Sequence, residues 1–466
     1  MQHQKEGVSF LYNNKGGGLF FQMRLGKSRT TLEALTKFRI TEQIFPVLII
    51  APLSVVPVWP AESAKFNYNF KFTMLTGTRQ QRLAKLAEPA DIYVINYEGA
   101  RLLSKQLLEK KFVSIVLDES HRCKSLKSIQ TRVILELGYQ TKYRFILTGT
   151  PITKSPEDMW SQIQFLSPGF LGNFYSFRAR YVEFRKVTVP ANGGMREIQI
   201  PYRFKHLAEL EERISKLCLR KTQAECFDLP EMSYKTIYCH MEADQLKAYY
   251  EMKHCLQIEV NEQRMTVKSA LTQIGKMQQL CHGFIYDSEG KPQWLKTNCK
   301  IEVLKDLLQD IVTEKIVLFC NFKADLELIG KTLADEGHKY ILYNGTAEER
   351  HEAIKQFDES VEPVIFLTTI ELGKEGINLS AACHVIFYGR NYNYASRYQA
   401  EARIQSAFQK RNLIYYDLIV PNTIDEKVLQ ILQMKGDVAD KILGDSVRLA
   451  MMEVSNNQLN IEEIYG

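Results

Sequence analysis

The segment Ile115–His121, which reads IVLDESH, indicates the fold class of this 466-residue chain. Its apolar residues run directly into two adjacent acids, Asp118 and Glu119. A short apolar run is typical of a strand that is covered on both faces of a parallel sheet. Such sheets bind ligands just beyond the carboxyl ends of their strands. The segment therefore predicts a buried strand that presents two carboxylates to a ligand.

Further apolar runs occur in two groups, separated by amphipathic stretches of helical periodicity. The runs are Val47–Ala51, Ile92–Asn96, Ser114–Leu117 and Arg144–Leu147 in the first group, and Ile316–Phe319, Tyr340–Tyr343, Val364–Leu367 and Val385–Tyr388 in the second. Strands that alternate with helices predict a parallel sheet with helices on both faces. Two groups of strands predict two such sheets.

The length of the chain agrees with this division, because it is about three times the ~150 residues expected for one domain. We expect a first lobe at residues 1–227, with a helical insertion at about 165–227. A second lobe is expected at residues 228–445, with a helical protrusion at about 243–298. Residues 446–466 are expected to form a C-terminal tail.

Composition excludes several classes of protein. Hydrophobic residues make up 45% and charged residues 24% of the chain, which is typical of a globular protein and not of a disordered or collagen-like one. The net charge of +6 does not by itself indicate a polyanionic partner. The nine cysteines form no C-x-x-C pair and no Cys/His cluster at zinc-ligand spacing, so we expect no disulfide framework and no structural metal.

A second motif, Gly26-Lys27-Ser28, follows an apolar run and precedes a helical stretch that begins near Thr30. At such a position, backbone N–H groups and the helix dipole bind a phosphate chain, while the lysine reaches the β and γ oxygens and the serine binds Mg²⁺. The first glycine of the full phosphate-loop pattern is replaced by Phe21. Taken alone, this motif leaves both a phosphate loop and a chance loop open.

The acid pair favours the phosphate loop. In a nucleoside triphosphatase, Asp118 would hold Mg²⁺ and Glu119 would orient and deprotonate the attacking water. The alternative is a solvated Asp-Glu pair at a strand end, which the upstream Gly-Lys-Ser makes the weaker interpretation. A third motif, Leu147–Pro151 (LTGTP), adds a strand that ends in a hydroxyl-rich turn.

Together, Lys27, Asp118–His121 and Leu147–Pro151 resemble the motor of superfamily-two helicases. The strings Ala51–Trp59 (APLSVVPVW) and Gln399–Arg403 (QAEAR) are similar to the Swi/Snf branch, whose members are double-stranded DNA translocases. The resemblance covers nearly the whole chain. It implies an α/β fold of two RecA-like lobes, each a doubly wound parallel sheet, with a helical insertion between them. It also implies ATP and Mg²⁺ as cofactors and double-stranded DNA as a partner.

The resemblance further implies a role for individual residues, with the triphosphate held between Lys27 of the first lobe and Arg403 of the second. The implied catalytic residues are Lys27, Asp118, Glu119 and Arg403; the implied ATP-binding residues are Gln4, which would read the adenine, Gly26, Lys27, Ser28 and Gly376; and the implied metal ligands are Ser28 and Asp118. The implied DNA contacts are Ser54, Arg101, Lys323 and Thr369, and the implied coupling residues are Thr148, Thr150 and Gln399.

The sequence departs from the family where a second arginine is expected three residues after Arg403, because Ser406 occupies that position. An arginine of this kind is worth roughly 10³ to 10⁵ in turnover. Either Arg390, Arg397 or Arg411 replaces it, or hydrolysis is impaired and the chain acts as a nucleotide-gated DNA-binding module. We favour retained activity, because the catalytic motifs of the first lobe are intact.

Two smaller departures are Arg24, where the family usually has glycine, and Gly389-Arg390, where it has Asp-Pro. The stretch Phe174–Lys186 mixes aromatic and basic residues. It is either a DNA-contacting surface or an amphipathic helix with its aromatic residues in the core, and we favour the helix.

The expected function is therefore that of a DNA-stimulated, ATP-dependent double-stranded DNA translocase. A strand-separating or strand-annealing helicase is the alternative within the same family. The compact length is typical of a minimal viral or bacterial motor that works with separate replication, repair or nuclease proteins. Because residues 1–10 lack the apolar run of a secretion signal, we expect a cytoplasmic location in a bacterial or phage-infected cell, with no membrane partner.

Overall fold

The computed structural model describes residues 1–126, 128–152, 156–191, 194–227, 232–261, 267–373, 377–390, 394–405 and 411–429. The described residues form two compact units. Lobe 1 comprises the described residues of 1–183 and 202–227, and lobe 2 comprises those of 184–201 and 232–429. None of the helices in the described ranges is long and apolar enough to cross a membrane.

The strands are numbered in chain order. Up to residue 221 they are β1 (Gly17–Phe21), β2 (Val47–Ala51), β3 (Phe72–Met74), β4 (Ile92–Asn96), β5 (Ser114–Asp118), β6 (Tyr143–Leu147), β7 (Val182–Ala191), β8 (Gly194–Phe204) and β9 (Cys218–Lys221). The later strands are β10 (Met232–Tyr238), β11 (Phe284–Tyr286), β12 (Pro292–Trp294), β13 (Ile316–Cys320), β14 (Tyr340–Leu342), β15 (Ile365–Thr369), β16 (His384–Phe387) and β17 (Leu413–Ile419).

The helices are numbered in the same way, and a short 3₁₀ helix spans Ser120–Cys123. Up to residue 226 they are α1 (Gln2–Asn13), α2 (Lys27–Thr41), α3 (Val58–Lys65), α4 (Arg79–Ala87), α5 (Tyr97–Leu102), α6 (Ser104–Lys110), α7 (Ile129–Tyr139), α8 (Glu157–Leu166), α9 (Phe174–Tyr181), α10 (Leu207–Ser215) and α11 (Gln223–Cys226). The later helices are α12 (Ala243–Asn261), α13 (Val267–Cys281), α14 (Cys299–Ile311), α15 (Lys323–Asp335), α16 (Ala347–Glu359), α17 (Ile370–Gly373) and α18 (Tyr394–Ala402).

Each lobe is built on one parallel sheet. Among the described residues, the sheet of lobe 1 has seven strands in the order β3-β4-β2-β5-β6-β1-β9, and every pair of neighbours is parallel. The described part of lobe 2 has a six-stranded sheet in the order β10-β17-β16-β13-β15-β14, again with parallel pairs only. The predicted fold class, two α/β lobes on parallel sheets, is confirmed.

Strand β13 shows why these strands read as continuous apolar runs. Ile316, Leu318 and Cys320 pack into one hydrophobic cluster, while Val317 and Phe319 pack into another. Because successive side chains of a strand point to opposite faces, a sheet with helices on both faces requires apolar residues at every position. All five residues of β13 are buried.

The structure adds strands that the apolar runs did not predict. Helices α9 and α10 lie in the expected helical insertion at 165–227, but the hairpin of β7 and β8 separates them, and β9 joins the sheet of lobe 1 beside β1. Most side chains of β10 are exposed, because it is an edge strand, so it lacks the apolar signature of a buried one. The expected tail at 446–466 lies outside the described residues.

Lobe 2 contains a buried ion pair that ties its last described helical residues, 424–429, to α14. The Nζ of Lys300, which is fully buried, lies 2.5 Å from Asp425 Oδ2 and donates a hydrogen bond to Tyr388 O at 2.9 Å. Burial opposes the charge on Lys300, but Asp425 outweighs it and raises the pKa of the lysine. Both charges are buried, so each is stabilised by the other and not by water.

Candidate active site

The candidate site of lobe 1 lies at one edge of its sheet. Strands β5, β6 and β1 are consecutive neighbours and run parallel, so the segments that follow them leave the sheet on the same side. Asp118 at the end of β5 pairs with Leu147 at the end of β6. The structure thus brings together the three motifs that the sequence places far apart: the loop before α2, the acid pair and the Thr-Gly-Thr-Pro turn.

The loop before α2 turns at a left-handed glycine directly before the helix. Gly26 precedes the helix with a left-handed φ of +77°, and a Cβ at this position would overlap the side-chain amide of Gln4. Lys27 is the first residue of α2, and its Nζ donates a hydrogen bond to Phe21 O at 3.1 Å. Since an ammonium group carries three N–H donors, this bond is compatible with a phosphate contact.

Two side chains of helix α1 contact the same loop. The Nε2 of Gln4 donates to Leu25 O at 3.3 Å, and His3 Nε2 lies 3.1 Å from the same oxygen. His3 is buried against the rings of Phe21 and Phe227. The predicted ATP-binding residue Gln4 is therefore beside the phosphate loop, while its contact with adenine stays a prediction. Sequence reasoning assigned no role to His3.

Asp118 is a buried carboxylate held by neutral donors. It is 4% exposed; Trp59 Nε1 donates to its Oδ2 at 3.1 Å, and the N–H of Glu119 donates to its Oδ1 at 3.0 Å. Burial and the neighbouring Glu119 raise the pKa of Asp118 to about 7, although Lys27 and Trp59 act in the opposite direction. A carboxylate in this condition gains stability from a cation, so its surroundings fit a divalent metal ion.

Glu119 adopts a left-handed backbone with φ +51°, so the chain turns sharply after Asp118. Its Oε2 lies 3.5 Å from Thr148 Oγ1 and 3.3 Å from His121 Nδ1, and that nitrogen is 3.1 Å from Thr148 Oγ1. Thr148 Oγ1 also accepts the N–H of Thr150 at 3.1 Å. The predicted coupling residue Thr148 therefore contacts Glu119 directly, and Thr150 is joined to it through Thr148.

Lobe 2 carries the remaining predicted residues. Gln399 is buried on α18, and Arg403 follows the end of that helix. The backbone of Arg403 is fixed, because its N–H donates to Ala400 O at 3.1 Å and its carbonyl accepts the N–H of Leu379 at 2.9 Å. Gly376, a predicted ATP-binding residue, and Ser406 lie outside the described residues.

The arginines considered as replacements for the missing second arginine are already paired. Arg390 Nε donates to Asp417 Oδ1 at 2.9 Å, and Arg397 Nη1 donates to the same oxygen at 2.7 Å. Arg397 Nε also donates to Glu401 Oε1 at 2.5 Å. Releasing either buried arginine would remove one of the two cations that stabilise the buried carboxylate of Asp417, and breaking a buried pair by losing one partner costs about 3–5 kcal/mol.

Arg411 forms an exposed ion pair with Glu314. An exposed pair is worth only about 0–1 kcal/mol, so this contact restrains Arg411 weakly. A substitute role for Arg390 or Arg397 would require breaking these buried pairs, and it stays a prediction.

Comparison with known proteins identifies the family. A family model described as the SNF2-related domain matches residues 3–283, and a model described as the helicase conserved C-terminal domain matches residues 299–407. The first match alone covers more than half of the chain. The chain belongs to the SNF2-related family. This family consists of Swi/Snf-type ATP-dependent helicases of superfamily two, which are hydrolases.

Individual relatives agree with this placement. An uncharacterized ATP-dependent helicase of Mycoplasma genitalium is 26% identical over 461 residues, which cover 96% of this chain and 42% of that protein. The DNA repair and recombination protein RDH54 of Saccharomyces cerevisiae is 26% identical over 449 residues, covering 89% and 48%. The SNF2-related chain thus spans less than half the length of these curated relatives. The expected viral or bacterial origin stays a prediction.

Among solved structures, the chain is similar to the SWI2/SNF2 ATPase core of Sulfolobus solfataricus in complex with double-stranded DNA. The two share 25% sequence identity with a TM-score of 0.45. The match covers 97% of this chain and 94% of that one.

Three of the four predicted DNA contacts of the SNF2-related chain are exposed. Ser54 follows β2, Arg101 lies in the last turn of α5, and Lys323 begins α15. Thr369 differs, because it is buried at the end of β15 and its Oγ1 accepts the N–H of Leu372 at 3.4 Å. The contact of Thr369 with DNA stays a prediction.

Only the first part of the aromatic and basic stretch, Phe174–Tyr181, forms a helix, α9, because residues 182–186 belong to strand β7. Within α9 the structure supports the packing interpretation. Phe177 and Tyr181 are buried. Arg178 pairs with Glu157 at 2.9 Å, and Arg180 forms a charged hydrogen bond to Glu209 through its Nε at 2.8 Å. The basic groups of α9 are thus engaged within lobe 1.

The structure explains one of the two small departures from the SNF2-related pattern, the glycine at position 389, and leaves Arg24 unexplained. Gly389 lies against the buried ring of His282, and a Cβ there would come within 2.5 Å of His282 Nε2. The ring is fixed by Asp325, whose Oδ1 lies 2.9 Å from His282 Nδ1. Arg24 has a left-handed φ of +64°, a conformation that favours the glycine usual in the family.

Sequence reasoning assigned no role to three residues that hold the acid pair in place. Trp59 donates to Asp118, Tyr97 OH donates to Asp118 O at 2.7 Å, and Gln162 accepts the hydroxyl of Ser120 at 2.7 Å. A usable signal was present for two of them. Buried Trp and Tyr side chains need a partner for their N–H or O–H group, and Trp59 also lies in the string Ala51–Trp59 that resembles the family.

Proposed function

We propose that this chain hydrolyses ATP to ADP and phosphate, that DNA stimulates the reaction, and that the chain uses it to move along double-stranded DNA. One observation carries the proposal. The buried acid Asp118, whose pKa is raised, lies with Glu119 at the sheet edge where Gly26 and Lys27 begin α2. Membership in a family of ATP-dependent helicases supports the same chemistry.

Each site residue of lobe 1 has a distinct role in the proposed reaction. The loop N–H groups at the start of α2 and the ammonium of Lys27 bind the phosphates. Ser28 and Asp118 are the residues that fit Mg²⁺, and this ion would neutralise charge on the phosphates. Glu119 orients the attacking water and accepts its proton, held by its contacts with Thr148 and His121.

Arg403 of lobe 2 is proposed to stabilise the charge that develops on the transferred phosphoryl group. The position three residues later is Ser406, and Arg390 and Arg397 are paired with buried acids. Arg403 therefore carries this task without their help. Because such an arginine is worth roughly 10³ to 10⁵ in turnover, we propose a slow ATPase, and Ser406→Arg should accelerate it.

The test is steady-state ATP turnover with no DNA, with duplex DNA and with single-stranded DNA. We expect duplex DNA to stimulate the wild type, and Lys27→Ala to remove the stimulated rate. Lys105→Ala, on the exposed surface of α6, is the matched control and should leave the rate unchanged. No DNA-stimulated turnover above that of Lys27→Ala would refute the active motor.

The replacement of the second arginine by Ser406 favours one other function, a hydrolysis-impaired, nucleotide-gated DNA-binding module. It predicts tight duplex binding that depends on ATP, together with negligible turnover. A titration of duplex affinity with and without ATP, alongside the turnover assay, separates the two. Triplex displacement without strand separation would distinguish a translocase from an unwinding or annealing helicase.

Double-stranded DNA is the proposed partner, with Ser54, Arg101 and Lys323 as exposed contact residues. Contacts to phosphates are largely independent of base sequence and weaken steeply with salt. Loss of Arg101 or Lys323 should therefore weaken binding equally on unrelated sequences and reduce the salt slope by about one each. Separate replication, repair or nuclease proteins are the further partners we propose.

A further inference from the structure

Gln162 is a buried polar residue in the middle of an apolar helix. It lies on α8, where Met159, Ile163 and Phe165 are also buried, and its own exposed fraction is 0%. A buried side-chain amide must have its polar atoms paired, because water cannot replace the missing bonds. The partners of this amide therefore show what its position requires.

The amide joins the two turns that carry the predicted catalytic and coupling residues. Its Oε1 accepts the hydroxyl of Ser120, which directly follows Glu119, at 2.7 Å. Its Nε2 donates to the carbonyl of Pro151, which directly follows Thr150, at 2.7 Å. A further bond from Nε2 to Asp158 O at 2.9 Å ties the side chain to its own helix.

A second connection between the same two turns is present among the described residues. It is formed by Thr148 Oγ1 with Glu119 Oε2 at 3.5 Å and with His121 Nδ1 at 3.1 Å. These contacts are longer and less buried than those of Gln162. The glutamine is thus the tighter of the two links between the acid turn and the Thr-Gly-Thr-Pro turn.

Helix α8 is itself anchored, so Gln162 extends from a fixed support. Trp160 Nε1 donates to Gly172 O at 3.1 Å, and its ring packs edge-on against Phe174 with 5.5 Å between the ring centroids. A site residue is held most accurately when its supporting side chains lie on packed secondary structure.

From these contacts we infer that Gln162 is a positioning residue of the motor. It holds the acid turn at Glu119 and Ser120 in a fixed relation to the turn at Thr148 to Pro151, so that Glu119 keeps its orientation during hydrolysis. The inference rests on the proposed ATP hydrolysis and assigns no substrate contact to Gln162. Its influence is expected on kcat, because the loop that binds the phosphates is a separate part of the site.

The chain offers a matched control on the same helix. Gln164 also uses both ends of its amide, since its Nε2 donates to Tyr139 OH and its Oε1 accepts the N–H of Gly169, each at 3.0 Å. Neither partner belongs to the catalytic turns. Gln164→Leu therefore reports the general cost of losing a glutamine from α8.

The experiment measures kcat and KM for ATP in Gln162→Leu, Ser120→Ala and Gln164→Leu, with duplex DNA at saturation. We expect Gln162→Leu and Ser120→Ala to lower kcat about ten-fold, or about 1.4 kcal/mol of barrier, with KM for ATP within two-fold of the wild type. Gln164→Leu should keep both constants. The double variant of Ser120 and Gln162 should lose no more than Gln162→Leu alone, because both changes break one link.

Hydrogen–deuterium exchange tests whether Gln162 joins the two turns, and it does not depend on ATP turnover. In Gln162→Leu, amide exchange should rise in the peptides that contain 119–123 and 148–152, and Gln164→Leu should leave both unchanged. Ser120→Ala, a smaller change, provides the same reading if Gln162→Leu does not fold.

The two proposals fail in different ways. A wild-type chain without DNA-stimulated turnover refutes the proposed motor, and exchange alone then decides the link. Wild-type kcat in Gln162→Leu, a parallel loss in Gln164→Leu, additive losses in the double variant, or unchanged exchange at both turns would each overturn the positioning role of Gln162.

Discussion

Asp118 in lobe 1 and Asp417 in lobe 2 are both buried carboxylates on strands of parallel sheets, yet their surroundings are opposite. Neutral N–H groups hold Asp118, and burial with the adjacent Glu119 raises its pKa to about 7. Burial would also raise the pKa of Asp417, but Arg390 and Arg397 lower it to about 2. Among the described residues, Asp118 lacks a cation that offsets its burial, whereas the cations that stabilise Asp417 are two arginines of the same lobe.

The largest expected effect comes from removing the acid of lobe 1. Asp118→Asn should lower DNA-stimulated turnover at least about 10³-fold, because a bound metal supplies several kcal/mol of charge stabilisation at about 1.4 kcal/mol per decade. The free energy of unfolding should stay within about 1 kcal/mol of the wild type or rise, since the change removes a poorly compensated buried acid. Turnover and urea unfolding measure the two effects.

Glu136→Gln, an exposed position on α7, is the control for the loss of one negative charge in lobe 1. A stability loss of several kcal/mol in Asp118→Asn, with turnover retained, would reverse the comparison between the two acids.

The next largest effect is expected from removing the buried acid of lobe 2, Asp417. Asp417→Asn should destabilise lobe 2 by about 3–5 kcal/mol, because it leaves Arg390 and Arg397 buried without their carboxylate. Hydrogen–deuterium exchange of the peptides that contain β13, β16 and β17 is the measurement.

The control for this variant is the exposed pair of Lys339 and Glu362, whose side chains are about 70% exposed. Glu362→Gln should cost less than about 1 kcal/mol. Equal losses in Asp417→Asn and Glu362→Gln would show that burial does not distinguish the two pairs.

The two acids also predict opposite pH dependences. The pKa of Asp118 in the folded chain lies above its ordinary value of 3.8, so its contribution to stability is greatest at acid pH and declines between about pH 4 and pH 7. The pKa of Asp417 lies below 3.8, so its contribution is present above about pH 4 and is lost as the pH falls towards 2. For lobe 1 the proton also competes with Mg²⁺, because a metal-binding carboxylate must be deprotonated.

Calorimetric titration with Mg²⁺-ATP tests the predicted competition between the proton and Mg²⁺ at Asp118. Affinity should be roughly ten-fold weaker at pH 6 than at pH 8, following one decade per unit below the pKa. The same titration of Asp118→Asn gives the contribution of the nucleotide's own protonation, which is subtracted. Trp59→Phe removes a donor to the carboxylate and should move the midpoint to higher pH. A pH profile shared by the wild type and Asp118→Asn would contradict the raised pKa.

The smallest expected effect concerns the loop of lobe 1. Arg24 adopts a left-handed φ, which costs a residue with a side chain about 1–2 kcal/mol, while glycine loses more entropy on folding. Arg24→Gly should therefore raise stability by about 1 kcal/mol or less, measured by thermal unfolding. Arg79→Gly, at the start of the regular helix α4, is the opposite control and should lower it.

The sequence was most informative where the physics is local and repetitive. Each of the eight apolar runs coincides with a strand of the two sheets. Apart from the edge strand β14, these strands are largely buried, and a strand with both faces covered has to be apolar throughout. The exposed edge strand β10 and the short strand β9 have no such requirement and were missed. The short β3 and the buried β17 were missed as well. Glycine-lysine-serine and the acid pair could be placed at one sheet edge, because the carboxyl ends of parallel strands share that edge.

The polar contacts inside the lobes were beyond reach of the sequence. The hydrogen bonds of Gln162 join residues that are 42 and 11 positions away, and those of Trp59 reach Asp118 across 59 positions. Nothing in the local pattern of either residue specifies such a partner. The same applies to Asp417, whose apolar strand gives no indication that Arg390 and Arg397 surround it.

The ion pair of Lys300 and Asp425 has a practical consequence for anyone who wishes to produce lobe 2 separately. A fragment that stopped after β17 would retain a fully buried ammonium group and lose the carboxylate that neutralises it. Expression boundaries for this lobe should therefore lie beyond Val428, which packs in the same hydrophobic cluster as Ile424. Shorter fragments are expected to be recovered in insoluble form.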